Sequence, residues 1–325
     1  VAVTDGEADE GVVIRQARES DVDDVVAFTR ETWSDQEGAS DYLPETFPEW
    51  IGTDGPEQRT FVAAVGGGAD TDGEPVGLLQ CVLLTETEAW AQGMRVAPAH
   101  RGEGIAARLS RTALAWARER GATVCRNMVF SWNVAGLGHS RDVGFDPGTE
   151  FRYAMPEPDA DAEPSMAVVA DPDAGWSFWT DSDARTALAG LGLDAGESWA
   201  ASELRRSDLR RAAADDALFV VQDGGTRGLS LRAKTSTWET DDGDRRRRAT
   251  YAVGAWDSPA ACAALMAAVA RDAADLDADT ARVFVPEGVG WVSDLAAVRC
   301  PISDEPDFVM QADLTEPGVS DTTGT

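Results

Sequence analysis

Residues 94–109, Met-Arg-Val-Ala-Pro-Ala-His-Arg-Gly-Glu-Gly-Ile-Ala-Ala-Arg-Leu, constrain this chain more than any other stretch. A short apolar run stops at Pro98, glycines follow at 102 and 104, and an Ala/Arg/Leu segment without breakers starts at once. That pattern predicts a strand, a turn and a helix start. The first turn of a helix has N–H groups without intrahelical acceptors, and the positive end of the helix dipole lies there, so an anion is stabilised in such a turn. Gly102 and Gly104 have no Cβ to hold a phosphate oxygen off the main chain, and Arg101 adds a fixed positive charge. A diphosphate fits these requirements.

Spacing separates the known loops of this kind. A Walker A loop ends in Gly-Lys-Ser/Thr, whereas this one reads Gly104-Ile105-Ala106. A dinucleotide fingerprint has a third glycine early in a βαβ unit, and none is present. An ordinary glycine-rich strand-to-helix turn stays open on the loop alone. Arg101-x-x-Gly104-x-Ala106, after a strand ending Arg95-Val96-x-Pro98, resembles the pyrophosphate loop of the GNAT superfamily of N-acetyltransferases, which bind acetyl-coenzyme A.

The order of elements follows the same family. A strand at Val12–Arg15 precedes a helix capped near Ser20 and running towards Trp33. Next come a segment from Ser34 to Gly55 with Tyr42, Phe47 and Trp50, and an antiparallel pair at 61–65 and 76–84. A strand from Glu88 to Val96 feeds the loop. After it come a helix stopping at Gly121, a strand from Thr123 to Phe130, an element opened by Trp132-Asn133, and a strand at Phe151–Met155. A second constellation joins the first: Asn133 directly after its strand, Gly136 three residues on, and Gly144-Phe145 closing the segment. The resemblance implies an α/β (α+β) GNAT fold for residues 1–155, a mixed and mostly antiparallel sheet flanked by helices.

The resemblance also implies a site. Cofactor contacts are expected at Met94, Arg95, Val96, Arg101, Gly102, Glu103, Gly104, Ile105, Ala106 and Asn133, with acetyl-coenzyme A as co-substrate and no metal. Main-chain groups of Met94 and Val96 would pair with the pantetheine amides like an added strand. The chemistry expected is direct attack of a primary amine on the thioester, with a carboxylate or ordered water as base. Glu88 and Glu86 are the nearest carboxylates, and either could instead be plain surface acid. Where the family often carries a thiolate-protonating tyrosine, seven residues after Asn133, this chain has Ser140, with His139 beside it. That departure favours an alternative, a non-catalytic acetyl-coenzyme A-binding regulatory or scaffold module.

Charge narrows the partners. The formal net charge is -30, the isoelectric point is near 4.2, and Lys234 is the only lysine. Such a field repels nucleic acid and anionic membranes, leaving a small-molecule or peptide amine as the expected partner. Dispersed carboxylates on a chain that is 43% hydrophobic fit a halophile-type surface rather than disorder. Cys81, Cys125, Cys262 and Cys300 lack metal spacing and are expected as reduced thiols in a cytoplasmic protein. Two histidines, His100 and His139, are too few for a usual zinc site, and the polar, acidic start does not read as a signal peptide.

Residues 156–166, rich in Pro, Asp and Ala, read as a linker, and 317–325 as a disordered tail. Between them, 167–316 begin with helices and then repeat the first half's order. A hairpin at 218–221 and 228–232 leads to a strand at 248–256 and an Ala-rich helix at 259–274. A strand at 281–286, a helix at 290–298 and a strand at 307–312 follow. This predicts a tandem, degenerate GNAT-like domain. Its strand-to-helix junction reads Trp256-Asp257-Ser258-Pro259, without a glycine pair and with an aspartate where a phosphate would sit. The run Arg245–Arg248 reads as a solvated strand entrance or a small anion patch. The identity of the acceptor and the oligomeric state are not encoded in any motif.

Overall fold

In the computed structural model, residues 11–30, 41–66, 73–240 and 243–315 are described. They divide into two units. The first comprises residues up to Asn127, Ala135–Asp146 and the segment from Gln311; the second comprises Met128–Val134 and Pro147–Met310. The tail 317–325 lies outside the described residues.

The first unit opens with β1 (Val12–Gln16), paired antiparallel to β2 (Gln58–Val65), with α1 (Val22–Thr29) and α2 (Leu43–Thr53) between them. Asp21, next to Ser20, holds the cap position of α1 and closes the turn that precedes it. Its carboxylate accepts from the Arg18 N–H at 2.8 Å and from both Arg15 terminal nitrogens at 2.7 Å. α2 buries Leu43, Phe47 and Trp50 against Val25, Val62 and Leu78, each fully buried chain contributing about 1.5–3 kcal/mol.

β2 pairs with β3 (Glu74–Leu83) and β3 with β4 (Glu88–Val96), all antiparallel. α3 (Ile105–Glu119) packs Ile105, Leu109, Ala113 and Trp116 beneath β3. A Cβ on Gly77 would stand 3.2 Å from both Ile105 and Leu109, so the missing side chain sets how closely α3 approaches. β5 (Val124–Phe130) runs parallel to β4, and α4 (Val134–Asp142) ends before Gly144, whose φ of +95° turns the chain so that Phe145 is buried.

From Pro147 the chain stays in the second unit, through β6 (Asp146–Ala154) and β7 (Ala167–Val169). The Pro/Asp stretch 156–166 between them lies inside this unit, where the Asp159 N–H donates to the Ala270 carbonyl at 3.0 Å. α5 (Pro172–Asp181) and α6 (Asp183–Ala187) follow, then a two-stranded pair, β8 (Leu191–Leu193) with β9 (Ala201–Glu203), which the sequence pattern does not announce. After α7 (Arg206–Ala214) come β10 (Leu218–Gln222), β11 (Thr226–Glu239) and β12 (Arg245–Trp256) as an antiparallel meander. α8 (Pro259–Asp275) then crosses to β13 (Thr280–Pro286), parallel to β12, and α9 (Val289–Ala297) and β14 (Asp307–Asp313) complete the chain.

Within this unit β13 also pairs antiparallel with β6, and β10 with β7. Alternate residues of β12 and β13, Ala249, Tyr251, Ala281, Val283 and Val285, bury one face against Cys262, Leu265 and Val269 of α8. The end of the chain returns to the first unit, where the Leu314 N–H donates to the Thr123 carbonyl at 2.9 Å. Among the described residues no helix is long and apolar enough to cross a membrane.

Candidate functional site

β4 and β5 stay paired for only three rungs, Glu88 to Val124, Ala89 to Cys125 and Trp90 to Arg126. Beyond Trp90, β4 continues for six residues to Val96 and no further rung joins it to β5. On its other side β4 carries a bulge against β3: Arg95 faces Leu78 and Gln92 faces Gln80, so β4 has one residue more than β3 between those rungs. Gly93 lies there at φ +71°, and a Cβ on it would fall 2.5 Å from the Trp50 indole. Sequence reading missed this bulge; its signal was an isolated glycine in a strand.

β4 runs into the glycine loop. Pro98–His100 makes a single 3-10 turn, and the Arg101 Nε–H donates back to the Val96 carbonyl at 3.3 Å. Gly102 (φ +84°) and Gly104 (φ +75°) are both left-handed, the conformation in which a side chain would be strained. Gly104 caps α3, so no side chain takes up the helix's first N–H groups, and no acid lies in the first turn. The Arg108 N–H donates to the Gly104 carbonyl at 3.1 Å, which leaves Ile105, Ala106 and Ala107 without intrahelical acceptors. A Cβ built on Gly102 or Gly104 meets nothing within 4 Å. The space over the loop is open and faces the positive end of a 15-residue helix. Glu103 turns its carboxylate to His100, 3.1 Å away.

The other expected residues fall into different settings. Met94, Arg95 and Val96 lie on the part of β4 that has left β5. The Arg95 guanidinium is committed to the fully buried Asp41 carboxylate (2.8 and 3.2 Å), so its contribution there is main-chain rather than ionic. Glu88 is buried at the paired end of β4. Its carboxylate accepts from Arg126 Nη1 at 2.6 Å and from the Thr85 hydroxyl at 3.2 Å. A carboxylate held in this way ties strands together, and the expectation of a base at Glu88 gains nothing from its position.

Ser140 is buried in α4, its hydroxyl accepting from Asn127 Nδ2 at 3.2 Å. His139 Nε2 lies 2.9 Å from the Ser110 hydroxyl, and burial lowers its affinity for a second proton. Asn133, in segment 128–134, belongs to the second unit; its N–H donates to the Phe130 carbonyl at 2.9 Å.

A polar chain on the α2-covered face of the sheet was not foreseen. Gln92 donates to Gln80 (2.7 Å), Gln80 to the Thr60 hydroxyl (3.2 Å), and Thr60 to Asp54 (3.0 Å). Burial raises the Asp54 carboxyl above its ordinary range despite the hydrogen bonds from Thr60 and Gln16. The only trace of it in sequence is the glutamines interrupting otherwise apolar strands.

Residues 23–139 match the acetyltransferase (GNAT) family. A GCN5-related N-acetyltransferase from Sphaerobacter thermophilus is similar at 14% identity and a TM-score of 0.59, over 95% of this chain and 97% of that one. A structure provisionally assigned as an acetyltransferase from Thermoplasma acidophilum gives 14% and 0.53 over 93% and 99%. Another so assigned, from Pyrococcus horikoshii, gives 16% and 0.51 over 96% and 92%. At these identities the likeness is one of fold. Among curated proteins, none matches the chain by sequence.

Proposed function

We propose, from the premise that residues 23–139 form a GNAT acetyltransferase domain in a chain of GNAT fold, that this protein moves an acetyl group from acetyl-coenzyme A to a primary amine. The observation that carries this reading is the helix α3 start, with two left-handed glycines, no cap and no acid, open to solvent beside a strand that has parted from its neighbour. In a chain of net charge -30, an acid-free helix start is suited to a diphosphate.

Main-chain N–H groups at Gly104, Ile105 and Ala106 hold the diphosphate, with Arg101 at the flank. The unpaired edge of β4 from Met94 to Val96 receives the pantetheine amides as a neighbouring strand would, and N–H groups released at the Gly93 bulge polarise the thioester carbonyl. The amine attacks that carbonyl from the α2-covered side and loses its proton to water, because Glu88 is bound to Arg126. The leaving thiolate takes a proton from water or from the Ser140 hydroxyl, whose own proton is not used by its bond from Asn127.

The second unit is read as a degenerate copy that does not bind coenzyme A. The Ser258 hydroxyl already caps α8 by accepting from the Ala261 N–H, and Asp257 stands 3.0 Å from Arg227 at the same junction.

A second reading, binding without catalysis, is favoured by the burial of Ser140 and the ion pairing of Glu88. Release of free coenzyme A thiol in the presence of a panel of primary amines separates the two. Steady turnover on any of them supports the transferase. Saturable acetyl-coenzyme A binding with no turnover on all of them supports the module.

A further inference from the structure

Among the described residues two arginines are buried, and they are treated differently. Arg126 has the Glu88 carboxylate at 2.6 Å. Arg282, only 9% exposed, has no carboxylate within ion-pairing distance among the described residues. A buried charge without a counter-charge is costly.

Arg282 is not an isolated case. It lies on β13 opposite Thr250 of β12, and Arg248 of β12 lies opposite Thr280 of β13, two rungs away on the same face. Each arginine is tied by the threonine across from it: Arg282 Nε to the Thr250 hydroxyl at 3.2 Å, and Arg248 Nε to the Thr280 hydroxyl at 3.3 Å. Their flat faces rest on aromatic rings. The Arg282 guanidinium lies 4.6 Å from the Trp199 ring and 4.8 Å from the Tyr153 ring, and that of Arg248 lies 4.7 Å from Trp238. Both terminal nitrogens of each arginine lack a protein acceptor among the described residues. Guanidinium edges presented in this way match a carboxylate or phosphate.

Further observations agree. The chain's only lysine, Lys234, faces Thr250 from β11 on the same side, its ammonium held by the Glu197 carbonyl at 2.8 Å. Its proton is held less tightly because of burial, against the charges of Glu197 and Asp194 and with that of Arg282. Burial, and next the charge of Arg282, lower Arg248's hold on its proton. The Tyr153 hydroxyl, on the ring beside Arg282, is buried with no hydrogen-bond partner among the described residues. Trp199 holds its ring over Arg282 at a backbone φ of +64°, a conformation a bulky residue avoids. This face of the sheet is the one turned away from α8, since the arginines alternate with Ala249, Tyr251, Ala281 and Val283 of the core.

We propose that Arg248 and Arg282, with Lys234 at their flank, bind the carboxylate or phosphate group of a small molecule on the β11–β12–β13 face of the second unit. Trp199 (40% exposed) and Trp238 (37% exposed) offer ring surface to the rest of that molecule. The site is independent of the glycine loop of the first unit.

The test uses the full-length chain, titrated with inorganic phosphate and with succinate against potassium chloride at matched ionic strength, and followed by tryptophan fluorescence and melting temperature. Phosphate alone, succinate alone or both give a saturable response, which identifies the head group. Arg248→Gln, at a half-buried position and with its melting transition retained, weakens the response at least tenfold, as does Arg282→Met, and Gly104→Asp in the first unit leaves it intact. A response no greater than that to chloride overturns the proposal. So does one that survives Arg248→Gln or disappears in Gly104→Asp.

Discussion

Arg126 Nη1 lies 2.6 Å from Glu88 Oε1, and the two residues stand on the third and first rungs of the short parallel pairing between β4 and β5. The ion pair therefore sits where the strands are joined, at the opposite end of β4 from the glycine loop. It closes the strands at one end while the other end stays apart.

Removing one partner of such a pair leaves a buried charge. Glu88→Ala is expected to lower stability by roughly 3–5 kcal/mol in denaturant unfolding. The pH dependence of any turnover that survives is expected to keep its shape, because the proton leaves to water. Full stability together with a lost acidic limb of the pH profile would return Glu88 to the role of base.

Gly93 controls the bulge from which β4 departs. Gly93→Ala places a methyl group 2.5–2.6 Å from two Trp50 ring atoms and forces alanine to φ +71°. Left-handed strain of about 1–2 kcal/mol adds to overpacking of about 1–3 kcal/mol. In a Trp50→Phe background the ring atoms that clash are gone, and the cost of Gly93→Ala is expected to fall towards the strain alone. An equal cost in both backgrounds would show that the clash is relieved some other way.

Asp307 supplies a pH test of the second unit. Burial, and then the charge of Glu305, push its carboxyl up to about 6 from an ordinary 3.8. The folded chain thus binds this proton more tightly than the unfolded chain, so the term favours folding below about pH 4. It weakens as pH rises through 4–6 and stands as a constant penalty above. The group is partly solvent-screened, so the penalty is put at about 1–2 kcal/mol. Asp307→Asn is expected to raise the melting temperature at pH 7.5 and to leave it unchanged near pH 4. A stabilisation independent of pH would contradict this assignment.

Local pattern made much of the first unit legible. Alternation bounded by Pro98 gave β4 its limits, and paired glycines before an unbroken Ala/Arg/Leu run marked the start of α3. What local pattern cannot carry is pairing between distant residues. Asp21 pairs with Arg15 of the preceding strand, and Glu88 with Arg126 from another strand, and neither pairing has a local sign. The strands β8 and β9, three residues each, are too short to show a period, and the return of Leu314 to Thr123 has no local sign. The Arg245–Arg248 run shows the same limit. Arg246 pairs with Asp279 and Arg247 donates to the Leu276 carbonyl, so only Arg248 joins Arg282, 34 residues on in sequence by number.

The central claim is that main-chain amides at the start of α3 grip a diphosphate. Isothermal titration of acetyl-coenzyme A into Gly104→Asn and Gly104→Asp tests it most directly. Both side chains tolerate the left-handed backbone at this position and are nearly the same size, and only the aspartate carries charge. The account predicts measurable binding by the asparagine variant and a further loss of at least tenfold in the folded aspartate variant. Equal affinity in the two would contradict it.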